Sequence, residues 1–303
     1  MSKKGLIQFN LQVVTVFLAH QPFFSRYLMA KVGLTYSEFT LLFMLFVSRS
    51  PVSLQSASDY LVLSKKTVLT LLYKLEDTYL VTKEAVQEDR RMMRIIVSES
   101  GKELMRRALA ELNTLMKDTV WKALPEQEYL EHMSNNISKG VDVLRGFSMT
   151  SIAPLRRQSG VLCTPDHCIY WRLVAERWRE IVRNEGRLAF GEFGIITLLD
   201  ECGDLRMSNI AGLLRLQRSG VAMYKRHLLE KGLVSERKHA HDGRILNLHV
   251  NSEGQRLSRR LKERLNAFTS CAHGPIDDDT ARIINAWYFR MYSNLLTTDI
   301  DVL

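Results

Sequence analysis

Apolar residues recur at helical spacing twice along the chain, in segments that begin near residues 65 and 218. In the first segment Val68, Leu71, Leu72 and Leu75 fall on one side of a helix. Because such a stripe faces a protein core, the other residues of the helix point to solvent or to a partner. The residues that follow Gln217 predict an equivalent helix in the second segment.

A β-hairpin is predicted after the first of these helices. Leu80-Val81 begins one strand, Asp89-Arg90-Arg91 lies at the tip, and Met92 to Val97 returns. Ser98 is a favoured residue at a helix N-terminus and Gly101 follows it closely, so the hairpin leads into another helix. Helix, hairpin and helix form one continuous unit.

This unit occurs twice, at a constant separation. The matching residues, each 153 positions apart, are Asp89 with Asp242, Arg91 with Arg244, and Gly101 with Gly254. A constant separation means that neither copy has a gap through the helix and hairpin. Upstream, Glu38-Phe39 matches Glu192-Phe193 one position out of step, which indicates a length change in the connecting loop.

Further helices surround the repeated segment in each half. A short helix and a turn precede the repeated helix, which is helix-turn-helix anatomy. The additional helices are predicted at residues 5–31, 36–48, 53–61, 101–122 and 126–145, and at 166–184, 190–199, 207–214, 254–268 and 277–296. The sequence therefore predicts a mainly α fold with small β-hairpin wings, in units 1–150 and 151–303 joined near residues 147–165.

Each half resembles a winged-helix transcription regulator of the MarR family. The matching segments are Leu54 to Leu75, Asp89-Arg90-Arg91 and Ser98 to Gly101, and then Met207 to Leu228, Asp242-Gly243-Arg244 and Asn251 to Gly254. The resemblance covers nearly the whole chain. Members of this family are usually homodimers whose terminal helices form the dimer layer. The resemblance thus implies two tandem winged helix-turn-helix units that associate as a pseudo-dimer through a helical layer.

The second helix of a helix-turn-helix enters the major groove of DNA, and a hairpin tip can place an Arg in the electronegative minor groove. The Asp two positions before that Arg can orient it. The predicted DNA-binding residues are Ser64, Lys65, Lys66, Thr67, Thr70, Tyr73, Lys74, Asp89, Arg90 and Arg91, with Gln217, Arg218, Ser219, Met223, Arg226, His227, Asp242 and Arg244. The alternatives are a solvated helix face and an exposed ion pair on each loop.

The two copies differ within and just after the repeated helix. Tyr79 stands where the second copy has Gly232, and glycine most easily adopts the left-handed conformation that ends a helix. We therefore expect the first wing to leave at a different angle. Gly220, inside the second repeated helix, costs about 1 kcal/mol relative to Ala but allows close approach to a phosphate.

Aromatic residues on the first helix of each unit have two interpretations. Trp171 and Trp178 are seven positions apart, and Phe23, Phe24 and Tyr27 cluster in the first unit. Such residues can line a pocket for a small-molecule effector, although an aromatic stripe at helical spacing more often belongs to the core. A small-molecule effector is therefore a candidate second partner.

Charge and cysteine content are consistent with this interpretation. The 303 residues carry a formal net charge of +9, with +4 in residues 1–150 and +5 in 151–303, which favours a polyanionic partner. The apolar run from Leu6 to Leu18 contains Gln8, Asn10 and Gln12, so neither a signal peptide nor a membrane span is expected. Four cysteines do not form a disulfide scaffold, which favours a cytoplasmic location.

The remaining candidate chemistry is weak. The cysteines Cys163, Cys168, Cys202 and Cys271, with His167 and His273, fit no strong zinc spacing, so no metal or cofactor is expected, and a redox role stays open. We find no phosphate-binding glycine loop, H-E-x-x-H sequence or nucleophile elbow, so an enzyme is not expected. The sequence predicts a sequence-specific regulator of transcription, a repressor that binds double-stranded DNA as a single-chain pseudo-dimer on an imperfect inverted repeat. The alternative is a MarR-like ligand- or protein-binding module that has lost DNA binding.

Overall fold

The computed structural model describes residues 8–48, 52–85, 93–119, 137, 140–145, 165–238, 246–272 and 278–297. Within them the first copy contains α1 (Leu11–Val32), α2 (Tyr36–Val47), α3 (Leu54–Leu61), α4 (Lys65–Asp77), β1 (Val81–Ala85), β2 (Met93–Val97), α5 (Glu99–Thr119) and α6 (residues 140–145). The second contains α7 (Pro165–Gly186), α8 (Phe190–Cys202), α9 (Met207–Leu213), α10 (Arg218–Glu230), β3 (Val234–Lys238), β4 (Leu246–Val250), α11 (Ser252–Ala272) and α12 (Asp278–Thr297). The prediction of a mainly helical protein with two small hairpins is confirmed.

Some predicted features lie outside the described residues. They are both hairpin tips, with Asp89, Arg90, Arg91, Asp242 and Arg244, together with the linker up to residue 164, most of the predicted helix 126–145, Cys163 and His273.

The described chain divides into two compact units. The first unit is Phe24–Leu173, and the second unit is Met1–Phe23 together with Val174–Leu303. These units group residues by packing, whereas the ranges 1–150 and 151–303 were assigned from the repeat, and that division stays a prediction. The difference arises because α1 and α7 each contribute residues to both compact units.

In the first unit, α3 and α4 form the helix-turn-helix. Ser53 and Ser64 cap the two helices, since their hydroxyls accept hydrogen bonds from the backbone N–H groups of Ser56 and Thr67 at 3.1 Å each. Val62 makes the turn between the helices with a φ of 52°, in the left-handed region. In the second unit Arg215 occupies the matching position between α9 and α10 with a φ of 53°.

Each recognition helix, as we call α4 and α10, is followed by an antiparallel two-stranded sheet in the same register. Val81 pairs with Val97 in the first sheet, and Val234 pairs with Val250 in the second. A further bridge joins each sheet to the residues before the helix-turn-helix, from Val52 to Ile95 and from Leu205 to Leu248. Together these elements form the winged helix of each unit.

Close backbone packing fixes the corner between each hairpin and the following long helix. A Cβ atom on Gly101 would lie 2.2 Å from the carbonyl oxygen of Leu80, and one on Gly254 would lie 2.4 Å from that of Leu233. No side chain fits at either position. The glycines that ended the repeated motif in the sequence are therefore required by sterics.

The turn that ends each recognition helix is the same in both copies. Tyr79 has a φ of 58° and Gly232 a φ of 65°. The next residue, Leu80 or Leu233, closes the turn with a backbone hydrogen bond to Leu75 at 2.8 Å or to Leu228 at 3.0 Å. The expected difference is thus absent from the turn itself, because Tyr79 adopts the conformation that glycine would have taken.

An aromatic cluster fills the core of the second unit. The Trp178 side chain is fully buried, and the ring of Phe9 meets it edge-on at 4.7 Å between centroids. Phe17 lies 5.0 Å from the same ring and 4.6 Å from Phe190. The indole N–H of Trp178 donates a 3.1 Å hydrogen bond to the hydroxyl of Thr269. Residues 9–17 at the start of the chain therefore supply core to the unit that carries the second copy of the repeat.

Among the described residues no single helix is both long and apolar enough to cross a membrane. Only α1 and α2 taken as a bent pair meet that test by length and composition. Most of α2 is buried within the first unit.

The shared turn predicts opposite effects of two substitutions. Tyr79→Gly should raise the free energy of unfolding by about 0.5–1 kcal/mol, because Tyr79 is 80% exposed and loses strain rather than packing. Gly232→Ala should lower that free energy by about 1 kcal/mol, since it introduces the same strain. Urea unfolding measures both changes.

Gly212→Ala is the matched control, because a Cβ atom at Gly212 meets nothing within 4 Å and its φ is not positive. It should stabilise the chain by about 0.5–1 kcal/mol. Destabilisation by Tyr79→Gly would show that the tyrosine ring contributes more than its backbone costs.

Candidate nucleic-acid interface

The first recognition helix presents the face that the sequence predicted. Its apolar stripe, Val68, Leu71, Leu72 and Leu75, is buried. On the other side the exposed residues are Lys65, Lys66, Thr67, Thr70, Tyr73 and Lys74, with Ser64 just before the helix. The two lysines lie at the N-terminal end of the helix, the end that contacts base edges in helix-turn-helix proteins.

The hydroxyl groups on this face already have partners within the helix. The side-chain oxygens of Ser64 and Thr67 are 2.8 Å apart. The hydroxyl of Thr70 donates a 3.0 Å hydrogen bond to the carbonyl oxygen of Lys66. These contacts order the first two turns of the helix. The ammonium groups of Lys65 and Lys66 are exposed on the same face.

The second recognition helix exposes a different set of side chains. Arg218, Ser219, Met223 and Arg226 are all exposed, and Gln217 is the residue at its N-terminal cap. The arginine at position 226 is 70% exposed and its Nε lies 3.9 Å from Glu230. At this separation and exposure the pair is weak, so the guanidinium group is available to a partner.

Gly220 lies in the first turn of α10, where no packing requires a glycine. A Cβ atom there would meet nothing within 4 Å. The position therefore leaves the backbone of the second recognition helix open to close approach from outside.

The strand beside the first recognition helix partly covers its face. Lys83 on β1 lies with its ammonium group 4.0 Å from the ring centroid of Tyr73 and 2.5 Å from Glu76. In the second copy the matching strand position is Glu236, which pairs with Lys225 at 2.5 Å. Tyr73 is thus engaged by its own wing, whereas Arg226, at the matching helix position, is not.

A buried carboxylate lies behind each recognition helix, and sequence analysis assigned it no role. Glu38 is 7% exposed and Glu192 is 2% exposed. Lys74 pairs with Glu38 at 3.2 Å. His227 and Lys231 pair with Glu192 at 3.0 and 3.3 Å. Two predicted DNA-binding residues, Lys74 and His227, therefore have partners inside the protein.

Basic residues at the base of the second wing were also overlooked. Arg237 and Lys238 on β3 are exposed, and Arg237 lies 3.9 Å from Asp204. They follow the recognition helix and lead towards the hairpin tip. Their signal in the sequence is a pair of cations immediately before the predicted tip.

The five aromatic residues considered for an effector pocket lie in different surroundings. Trp178 packs in the core of the second unit, as described above, and Phe24 and Tyr27 are buried in the first. Burial raises the pKa of the Tyr27 phenol, and the nearby Glu111 raises it further. Phe23 and Trp171 are intermediate in exposure. The effector role of these residues stays a prediction.

A polar cluster in the first unit joins the helix-turn-helix to α6 and α7. The hydroxyl of Tyr60 donates a 2.7 Å hydrogen bond to Asp166, and Arg145 donates one of 2.6 Å to the carbonyl oxygen of Tyr60. Burial raises the pKa of Tyr60 well above 10, and Asp166 adds to that shift. Arg172 donates to the carbonyl oxygen of Leu61. The end of α3 is therefore held by charged side chains from distant parts of the sequence.

The three cysteines that the structure describes differ in exposure. Cys168 is buried, whereas Cys202 and Cys271 are exposed. Burial lowers the pKa of His167 to about 4, so this side chain is neutral at physiological pH. Within the described part of the chain no three His, Cys, Asp or Glu side chains are placed to hold a metal ion.

Comparisons place the chain near several solved structures. No family model matches it, and no curated protein matches it. The transcriptional regulator BldR from Sulfolobus solfataricus is 20% identical over 42% of this chain and 89% of its own, with a TM-score of 0.36. A MarR-family regulator from Rhodococcus sp. RHA1 is 20% identical over 37% and 79%, with a TM-score of 0.33. Overoxidized AbfR bound to DNA is 24% identical over 40% and 82%, with a TM-score of 0.30.

These matches include a member of the family that the sequence resembles. Each covers less than half of this chain. The tandem arrangement of two such units stays a prediction.

The ion pair of Glu38 predicts a pH dependence of stability. Burial alone would raise the pKa of Glu38, but hydrogen bonds from Thr35 and the ammonium group of Lys74 outweigh it and lower the pKa below its ordinary value of 4.5. Its contribution to stability is therefore complete above pH 4.5 and is lost as the pH falls through the lower, folded-state value.

Glu38→Gln should cost about 1–2 kcal/mol of unfolding free energy at pH 7. The difference from the parent chain should shrink as the pH falls from 4.5 through the lowered pKa of Glu38, because the carboxylate then becomes protonated in the parent chain as well. Urea unfolding at several pH values measures this. An equal difference at pH 7 and pH 3 would mean that the carboxylate charge contributes nothing.

Proposed function

We propose that the chain is a sequence-specific double-stranded DNA-binding regulator of transcription. One observation carries the proposal: in both copies the recognition helix has a buried apolar side and exposes basic side chains in its first turn, Lys65 and Lys66 or Arg218. The buried apolar residues are Val68, Leu71, Leu72 and Leu75 in α4, and Val221 and Leu228 in α10. A protein that uses this helix only for packing has no need to repeat that arrangement. Exposed cations at this end of the helix suit phosphates and base edges.

The two helices are suited to different kinds of contact. Lys65 and Lys66 carry compact charges on flexible stems, which suit phosphate oxygens. Arg218 and Arg226 carry planar forks that can engage O6 and N7 of guanine together. We infer that the second copy reads sequence more sharply than the first and prefers a half-site containing guanine.

The wings complete the proposed interface. Arg91 and Arg244 would enter the minor groove, with Asp89 and Asp242 orienting them. The basic residues Arg237 and Lys238 at the base of the second wing support this assignment, because they place positive charge on the strand that leads to the tip.

We further propose that the two copies act as a covalent pseudo-dimer on an imperfect inverted repeat. The repeat at 153 positions supplies each half with its own recognition helix and wing, and the association layer would be helical. The proposal assigns the chain a repressor role that a small molecule can modulate, and it assigns no catalytic activity.

One observation favours a second candidate, a ligand- or protein-binding module without DNA binding. In the first copy the ammonium group of Lys83 lies over the ring of Tyr73, and the exposed Glu84 adds negative charge at the base of the wing. A salt titration of binding to mixed duplex DNA separates the two functions, since phosphate contacts make log K fall linearly with log salt. Absence of such binding would support the module.

The proposed phosphate contacts of the first copy and guanine contacts of the second predict distinct effects of two substitutions. Lys65→Ala should weaken binding to operator and scrambled DNA alike and flatten the salt slope by about 1, because one phosphate contact is lost. Arg226→Ala should weaken operator binding selectively, by about 1–3 kcal/mol. Fluorescence anisotropy at several salt concentrations measures both. Equal losses on the two duplexes for Arg226→Ala would mean that this arginine contacts only phosphate.

The pseudo-dimer predicts the footprint of a single chain. Two half-sites should be protected in inverted orientation, with centres about 10 bp apart, because successive major grooves on one side of DNA are one helical turn apart. Arg244→Ala should reduce the preference for A·T pairs beside the guanine-containing half-site. Footprinting with stoichiometry from light scattering tests this arrangement. Protection of one half-site per chain would contradict it.

A further inference from the structure

Each unit holds a buried glutamate at the same place in the first turn of the helix before its helix-turn-helix. Glu38 is the third residue of α2 and Glu192 is the third residue of α8. They are 154 positions apart, whereas the recognition helices are 153 apart. The carboxylate meets the recognition helix in both units although the intervening loop differs in length.

The two oxygens of each carboxylate serve different purposes. One oxygen of Glu38 accepts a 2.8 Å hydrogen bond from the backbone N–H of Thr35, and the other lies 3.2 Å from the ammonium group of Lys74. One oxygen of Glu192 accepts a 2.8 Å hydrogen bond from the backbone N–H of Ala189, and the other lies 3.0 Å from Nδ1 of His227. The first oxygen caps its own helix, and the second reaches the recognition helix.

The basic partners lie in the last turn of each recognition helix. A carboxylate near a helix N-terminus and a basic group near a helix C-terminus each favour the local helix dipole. The ion pair therefore links the N-terminal end of α2 or α8 to the C-terminal end of the recognition helix. It fixes where the last turn of the recognition helix packs on α2 or α8.

We propose that Glu38 and Glu192 are positioning residues for the two recognition helices, and that Lys74 and His227 are held by them instead of by DNA. The inference rests on the proposed function, and it reassigns two of the residues that the sequence placed at the DNA interface. The Lys74 side chain is 59% exposed, but Glu38 is only 7% exposed. Moving the ammonium group to a phosphate would therefore leave a buried carboxylate without its cation, and burying an unpaired charge is unfavourable.

We call the pairing of Glu38 with Lys74 the first clamp, and that of Glu192 with His227 and Lys231 the second clamp. The two clamps differ in the number of basic partners. Lys231 lies 3.3 Å from the Glu192 oxygen that caps α8 and also donates a 2.8 Å hydrogen bond to the carbonyl oxygen of Arg187. Glu192 therefore keeps a cation when His227 is removed. At the position that matches Lys231 the first copy has Thr78, which carries no charge. Loss of the basic residue should consequently matter more in the first copy.

The test uses the full chain and a set of matched variants on a mixed duplex over a series of salt concentrations. Lys74→Met and Glu38→Gln each remove one charge of the first clamp, and the double variant removes both. Glutamine retains the ability to cap α2, so Glu38→Gln isolates the charge. Lys65→Met is the control for a phosphate contact, and Lys74→Arg keeps the cation.

We expect Lys74→Met and Glu38→Gln to lower DNA affinity by a similar factor, about threefold, and the double variant to lose no more than either single one. The salt slope should stay that of the parent chain, and Lys74→Arg should restore affinity. Lys65→Met should instead flatten the slope by about 0.9. His227→Gln should reduce affinity less than Lys74→Met does.

The inference is overturned if Lys74→Met flattens the salt slope as Lys65→Met does, or if its effect adds fully to that of Glu38→Gln. Either result would make Lys74 a phosphate contact. If the parent chain shows no salt-dependent binding to duplex DNA, the proposed function fails. Urea unfolding of the parent chain, Lys74→Met, Glu38→Gln and the double variant then tests the first clamp. A double variant whose midpoint shifts no further than that of Lys74→Met alone supports the pairing, and additive shifts exclude it.

Discussion

The corner between each wing and the long helix after it depends on a contact that leaves no room for a side chain. Gly101 lies against the carbonyl oxygen of Leu80, and Gly254 against that of Leu233. Those leucines also close the turn that ends the recognition helix. A single backbone contact thus joins the recognition helix, the base of the wing and the long helix. This corner and the buried apolar residues of α4 and α10 hold the two helices in place. The opposite faces of the helices can therefore stay exposed.

The local parts of this arrangement were readable from the sequence, and the contacts between distant residues were not. Periodicity predicted the buried stripe of α4 because Val68 and Leu75 belong to one helix. The partner of Lys74 could not be predicted, since Glu38 lies far away along the chain and a lysine among exposed residues looks like another surface charge. Likewise, an apolar first helix predicted burial but not that Phe9 and Phe17 would pack on Trp178. The preference of glycine for the left-handed conformation also led to a wrong expectation at Tyr79. The hydrogen bonds of the turn hold this tyrosine in the conformation that Gly232 adopts.

The two copies agree at some positions and differ at others. The backbone conformation agrees where it holds the fold, since Val62 and Arg215 both adopt the left-handed conformation. Positions on the exposed face have diverged, and so have the residues next to them. The ammonium group of Lys83 lies over the ring of Tyr73, whereas the matching Glu236 pairs with Lys225 and not with Arg226. The chemistry of each face is therefore set jointly by the helix and by the strand beside it.

Charges in each unit fall into two groups with different responses to salt. Lys65, Lys66 and Arg218 are exposed to solvent, so their attraction to a polyanion is screened strongly by added ions. In the pairs at Glu38 and Glu192 the carboxylate is almost completely buried, although the basic partners are 39–59% exposed, so added ions screen these pairs less than they screen fully exposed charges. Added salt should therefore weaken the attraction of the exposed cations to a polyanion more than it weakens the clamps. Because the exposed cations and the clamps are different residues, the exposed cations can differ between the copies, as they do. The recognition helices still pack in the same way on α2 and α8.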